Sequence, residues 1–261
     1  MTRWQSDPFF QYPRTTFPTS EGDVELPILY YDDSHVMALF RVEYDRAQAL
    51  VAEHGLVAVR LAGGKALVGV AFYEYRATSI ADYREVGVAI AVVPAGTAMP
   101  MFPLVSMLER LDTGTVGFWI IDLPVTTAAA CAAGREIWGY PKFVTPIQFT
   151  LEGGDFRGAV TDPVSGGDLV TLAGAAGPGI PGPLLDLILY SRLDGRMLRT
   201  LVNTRGGGRV CMPGSLRLDV SASPHPMAQR LRALGLERAE PMVMLHTHAL
   251  QLRLNAGAPL P

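Results

Sequence analysis

What most constrains this chain is a punctuated strand pattern. From Val24 onward, short alternating or apolar segments recur with turn signals between them, at 27–31, 35–43, 56–61, 66–75, 84–93, 115–122, 143–151, 156–161, 168–173, 185–193, 196–203, 215–221 and 242–254. So many short strands predict an antiparallel sheet system, a barrel or a sandwich. Gly63-Gly64 and Asp194-Gly195 mark hairpin turns, and the second pair favours positive φ at both central residues.

Three helices interrupt the strands. Asp45–Glu53 carries Ala47, Leu50 and Val51 at helical spacing. Pro226–Leu234 is amphipathic and arginine-rich, which predicts a solvated face. Thr127–Trp138 has a threonine cap in front and Gly139 with Pro141 behind, the signals that start and stop a helix. Its alanines make it narrow enough to press against a sheet. Gly174–Pro183 is rich in glycine and proline and predicts a loop. Residues 1–26, proline- and aromatic-rich without a period, predict an extended arm over the surface or a neighbouring subunit. Residues 27–261 form one predicted domain, a length that can bury a sizeable core.

Net charge of −3 and a pI near 6.0 give no electrostatic case for nucleic acid. The apolar runs are too short to span a bilayer as helices, and MTRWQSDPFFQYPR lacks the order of a secretory leader. Cys131 and Cys211 have neither metal nor redox spacing, so a reduced, cytoplasmic protein is the expectation. His246 and His248 share a strand face without an evident third ligand, and no metal site is predicted. Tyr73 and Tyr75 share a face that could line a cavity, with core packing the favoured expectation. Gly206-Gly207-Gly208 lacks the lysine and helix start of a phosphate loop.

Of the 22 basic residues only Lys65 and Lys142 are lysines. Lys65 follows the Gly63-Gly64 turn and is expected to face water. Lys142 sits between Pro141 and Phe143, just where the alanine helix gives way to a strand. The segment Gly134-Arg135-Glu136-Ile137-Trp138-Gly139-Tyr140-Pro141-Lys142-Phe143 resembles the active-site signature of the acetoacetate decarboxylase-like superfamily. In that family a glycine-arginine-glutamate helix end leads into a proline-lysine. Tyr83-Arg84-Glu85-Val86-Gly87 resembles the family's strand with an active-site glutamate, and the hairpin Leu189–Asn203 resembles the one after the lysine. The similarity extends thinly over about 30–250.

The resemblance implies an α+β fold, mainly antiparallel, closed into a cone-like barrel with flanking helices, and a homo-oligomer. It also implies a cofactor-free lyase in which Lys142 forms a Schiff base with a small keto acid or ketone. Such an enzyme decarboxylates a β-keto acid, or performs an aldol or dehydration step on an α-keto acid. A catalytically inactive small-molecule-binding barrel is the alternative.

A lysine attacks a carbonyl only as the free amine, and an ordinary lysine, with a pKa near 10.4, is charged at neutrality. Favouring the neutral amine enough to change that takes roughly 4–5 kcal/mol, within the reach of deep burial. Activation by desolvation or a neighbouring cation is a known property of the family and comes with the resemblance. In many members a second lysine follows the first, whereas here Phe143 does, so an apolar pocket must supply most of the effect.

Glu85 is the candidate acid/base. On its strand Val86, Val88, Ile90 and Val92 share one face, while Glu85, Gly87, Ala89 and Ala91 share the other. A bulky face for the core and a small-residue face with one acid suit a ligand cavity. Glu136, Arg41 and Tyr83 are further substrate-binding candidates, Glu136 with a competing structural role beside Arg135. One family feature is missing. Where decarboxylases carry an arginine near the start of an early strand, this chain reads Tyr31-Asp32-Asp33-Ser34-His35. A second family glutamate falls near Gly69–Val70, with Glu74 close but out of register.

Overall fold

The computed structural model describes Trp4, residues 6–107 and residues 109–260. Seven strands close on each other: β1 (Ile28–Glu43), β2 (Lys65–Thr78), β3 (Tyr83–Pro94), β4 (Gly117–Val125), β5 (Leu187–Leu193), β6 (Arg196–Arg205) and β7 (Val243–Pro259). They pair in chain order, and β7 returns to β1 to complete a barrel. Every junction is antiparallel except β4 to β5, which is parallel with Leu189 opposite Phe118. The expected strand-rich barrel is the observed one.

A second sheet lies against one side of the barrel. Its strands are Ile147–Glu152, Asp155–Thr161, Asp168–Ala175 and Arg217–Val220, and the helix Pro226–Ala233 packs with them. The alternation of β1–β3 decides what faces where. Val36, Ala38 and Phe40, with Val68, Val70 and Phe72 and with Val86, Val88 and Ile90, point outward into one core with Phe149, Phe156, Leu172, Met227 and Leu231. The opposite faces line the barrel interior. The division predicted for β3 is therefore present, and neighbouring strands share it.

Several boundaries differ from the sequence expectation for identifiable reasons. The predicted strands 27–31 and 35–43 are one strand, because the polar run Tyr31–Ser34 is a place where the register shifts and not a turn. The predicted 143–151 divides into Lys142–Val144 and Ile147–Glu152, which belong to different sheets. Within the predicted loop 174–183, Gly179–Pro183 is a strand paired only with Gly207–Cys211, at a sheet edge where glycine and proline are tolerated.

The three expected helices occur as α1 (Tyr44–Val51), α2 (Ala128–Trp138) and α3 (Pro226–Ala233), and a one-turn helix at Pro103–Ser106 was not foreseen. The N-terminal segment is less extended than its composition suggests. Thr15–Phe17 pairs with Val24–Leu26, and Val24 and Leu26 are buried against the chain's own barrel. Residues 1–3 of the predicted arm lie outside the described residues, as does residue 5. No helix among the described residues is long and apolar enough to cross a membrane.

Candidate active site

Helix α2 delivers the lysine. The Thr127 side chain accepts from the Ala130 amide at its start, and Gly139 ends it at φ 70°. A Cβ at Gly139 would lie 2.1 Å from the Arg192 carbonyl oxygen, so both backbone conformation and the closeness of β5 require glycine. The chain then turns through Tyr140-Pro141, and Lys142–Val144 pairs in parallel with β4, Lys142 opposite Leu123. The lysine stem runs directly over Gly134, where a Cβ would lie 2.3 Å from Lys142 Cε.

Lys142 Nζ donates to Glu85 Oε2 at 2.6 Å, and the two side chains are only 6% and 10% exposed. Tyr75 donates its hydroxyl to the other Glu85 oxygen at 3.3 Å. The Tyr83 ring lies 5.7 Å from Nζ, and its hydroxyl is 2.8 Å from that of Tyr30. Burial, reinforced by the Glu85 charge, raises the Tyr75, Tyr73 and Tyr30 hydroxyls above the ordinary tyrosine range. For Tyr83, burial is followed by the effect of Tyr30 and then of Glu85, in the same direction. All four remain protonated donors at neutral pH.

The pair faces a cavity of about 120 Å³ inside the barrel. Gly69 and Ala71 of β2 stand opposite Ala89 and Gly87 of β3, and these small residues leave the space that larger ones would fill. Much of the rest of the wall is aliphatic, with Leu184, Leu187, Leu189, Leu245, Leu250 and Leu252 prominent, and Phe118 and Trp138 add aromatic surface. A register shift in β4 places both Ile120 and Leu123 on the cavity side. Asp122 between them turns outward to Arg230.

On the β1 wall, His35 stacks on Tyr73 at 4.4 Å, and Tyr73 stacks on Tyr75 at 5.3 Å. Burial lowers the His35 imidazole to about 3, so it is neutral, and its Nε2 has no hydrogen-bond partner among the described residues. Asp33, two residues earlier, is fully buried with neither carboxylate oxygen partnered, and burial raises it to about 9. No three histidine, cysteine or acidic side chains among the described residues come together to hold a metal ion.

Of the residues singled out from sequence, Lys142, Glu85 and Tyr83 meet at this cavity, and two others do not. Arg41 has the inward parity of His35 and Met37 but lies beyond the cavity, exposed at the hairpin, with its guanidinium on the Ala62 carbonyl. Glu136 is on the exposed side of α2, where it accepts from the Ser20 amide and hydroxyl and so ties down the N-terminal hairpin. Glu74 has outward parity and pairs with Arg84. Tyr73 and Tyr75 do both things open to them, packing in a core cluster and lining the cavity. Their signal was parity with Gly69 and Ala71. Gly134 was legible as the one glycine in an alanine run.

A family model described as acetoacetate decarboxylase (ADC) matches residues 12–210. The chain belongs to the acetoacetate decarboxylase family. The match includes both Glu85 and Lys142. Solved structures with the same fold include acetoacetate decarboxylase from Legionella pneumophila, 16% identical with a TM-score of 0.65, covering 98% of this chain and 93% of that one. The enduracididine biosynthesis enzyme MppR, solved with pyruvate, is 16% identical with a TM-score of 0.61, over 91% and 92% of the two chains. An acetoacetate decarboxylase-like enzyme from Sphingomonas wittichii RW1 is 14% identical with a TM-score of 0.62, over 91% and 94%. No curated protein sequence matches significantly.

Against the family pattern, the missing early arginine is not replaced from another strand. Among the described residues lining the cavity, Lys142 is the only lysine or arginine. The Arg76 guanidinium, beside the gap, bonds to Asp32, Ser34 and the His248 carbonyl and does not line the cavity.

Proposed function

We propose that this protein is a Schiff-base-forming lyase in which Lys142 attacks a carbonyl carbon and Glu85 carries the protons. The observation behind this is the buried 2.6 Å contact between Nζ and Oε2 at the wall of an apolar cavity. The apolar surroundings expected for the lysine are there, but its nearest charged neighbour is a carboxylate, not a cation. Burial penalises both charges together, so passing one proton from Nζ to Oε2 yields a free amine without creating net charge.

The amine adds to the carbonyl, Glu85 returns the proton to the departing oxygen, and water leaves a protonated imine. That cation beside the Glu85 carboxylate is an electron sink. Glu85 takes a proton from the adjacent carbon, and the electron pair moves into an enamine. A β-hydroxyl can then leave as water with the proton from Glu85, or a new carbon–carbon bond can form at the enamine carbon. Hydrolysis of the product imine restores Lys142. Loss of carbon dioxide would use the same sink, but the cavity wall offers no second cation for a carboxylate. The geometry therefore supports the aldol and dehydration branch over decarboxylation.

Borohydride reduction with a panel of carbonyl compounds tests the proposal. An adduct of the right mass is expected on Lys142 and on no other residue, and Lys142→Met abolishes it. Exchange of the ketone's α-protons in D₂O, followed by NMR, is expected to depend on the same lysine. Absence of both signals with every carbonyl compound would leave a ligand-binding barrel without this chemistry.

A further inference from the structure

The cavity's charge narrows its ligand, on the premise that Lys142 forms the imine. Lys142 and Glu85 cancel each other, and His35, the other ionisable group with a basic nitrogen on the wall, is neutral. The tyrosines are uncharged donors. A keto acid would add a net negative charge to a space whose remaining surface is aliphatic and aromatic side chains, Met37, glycine and one threonine, Thr204. Burying a carboxylate without a cation is strongly unfavourable. Two buried polar atoms of the lining have no partner among the described residues, the Tyr140 hydroxyl and His35 Nε2, and His35 is 7% exposed and separated from the Glu85 contact by two stacked tyrosines.

We propose that the substrate is an uncharged, largely apolar ketone or aldehyde, its carbonyl at Lys142 and its body along the leucine wall. A single uncharged oxygen or nitrogen on that body would find its partner in His35.

The test uses two probes of one skeleton, 4-phenyl-2-butanone and 2-oxo-4-phenylbutanoate, which differ in a methyl or a carboxylate beside the carbonyl. Each is trapped on the full-length protein with borohydride and, under the same conditions, on Nα-acetyl-lysine, so that intrinsic electrophilicity cancels. The ketone-to-keto-acid ratio at Lys142 is expected to exceed that of the free amine by at least ten-fold. A ratio within three-fold of the free amine, or below it, overturns the assignment. If no probe labels Lys142, the imine chemistry fails separately. Calorimetry with 4-phenyl-2-butanol and 4-phenylbutanoate then decides the ligand class: tighter binding of the alcohol supports it, and tighter binding of the carboxylate overturns it.

Discussion

Gly134→Ala separates stability from chemistry in one substitution. In the interior of α2 an alanine would normally gain about 1 kcal/mol over glycine from helix propensity alone. Here the new Cβ would sit 2.3 Å from Lys142 Cε and 2.4 Å from Cδ, against ordinary carbon contacts of about 3.5–4.0 Å. Relief requires the lysine stem to move by more than about 1 Å, because the helix is anchored by the Thr127 cap and by the Tyr140 amide on the Gly134 carbonyl. Overpacking of this kind costs about 1–3 kcal/mol, so the net loss of stability is about 0–2 kcal/mol and the variant folds. A reacting group displaced by about 1 Å can lose on the order of 100-fold in rate. The assay is the rate of borohydride trapping with 4-phenyl-2-butanone, beside a urea unfolding curve. Trapping at the wild-type rate in a folded variant would refute the claim that Gly134 sets the lysine's position.

Other substitutions test single links. Glu85→Gln is expected to keep imine trapping within ten-fold while slowing α-proton exchange at least 100-fold; an equal fall in both would remove Glu85 as the proton carrier. Asp33 is raised from 3.8 to about 9, so its contribution to stability is fully present below about pH 4 and is lost as pH rises toward 9. Asp33→Asn should therefore gain on the wild type between pH 4 and pH 8 by several kcal/mol, at most about 5, and a urea-derived difference that does not change with pH contradicts the buried, protonated acid. Arg41→Ala and Glu136→Ala should each leave trapping within two-fold, and a larger loss from either would place the site differently.

The parts of this molecule that could be read from sequence are those in which local pattern and global placement coincide. The strand around Glu85 announced its two faces through alternation, and the barrel keeps that division across β1, β2 and β3. The cap and stop of α2 were equally plain, because Thr127, Gly139 and Pro141 act within a few residues of where they stand. Arg41 was misplaced for the complementary reason. Its parity is right, but whether an inward position lies within a barrel or past its end depends on how far neighbouring strands extend, and that is not a local property. Glu136 was ambiguous until Ser20, far away in sequence, supplied its partner.

The pairing of Lys142 with Glu85 shows where local reading stops. Each residue carried its own signal, a lysine after a glycine-ended helix and an acid on a small-residue face, but the contact between them depends on barrel closure. Lys142 reaches Glu85 because its short strand lies beside β4 and β4 lies beside β3, so two strand pairings set the height at which Nζ meets the carboxylate. Its approach also requires Gly134 to have no side chain. An apolar pocket was inferred from Phe143 replacing a second lysine, yet the same closure brings a carboxylate into that pocket. The amine thus meets both the apolar walls and the Glu85 carboxylate. Only a ligand that leaves the pair's charge balanced can enter without upsetting them, which is why the missing arginine and the buried pair point to the same uncharged substrate.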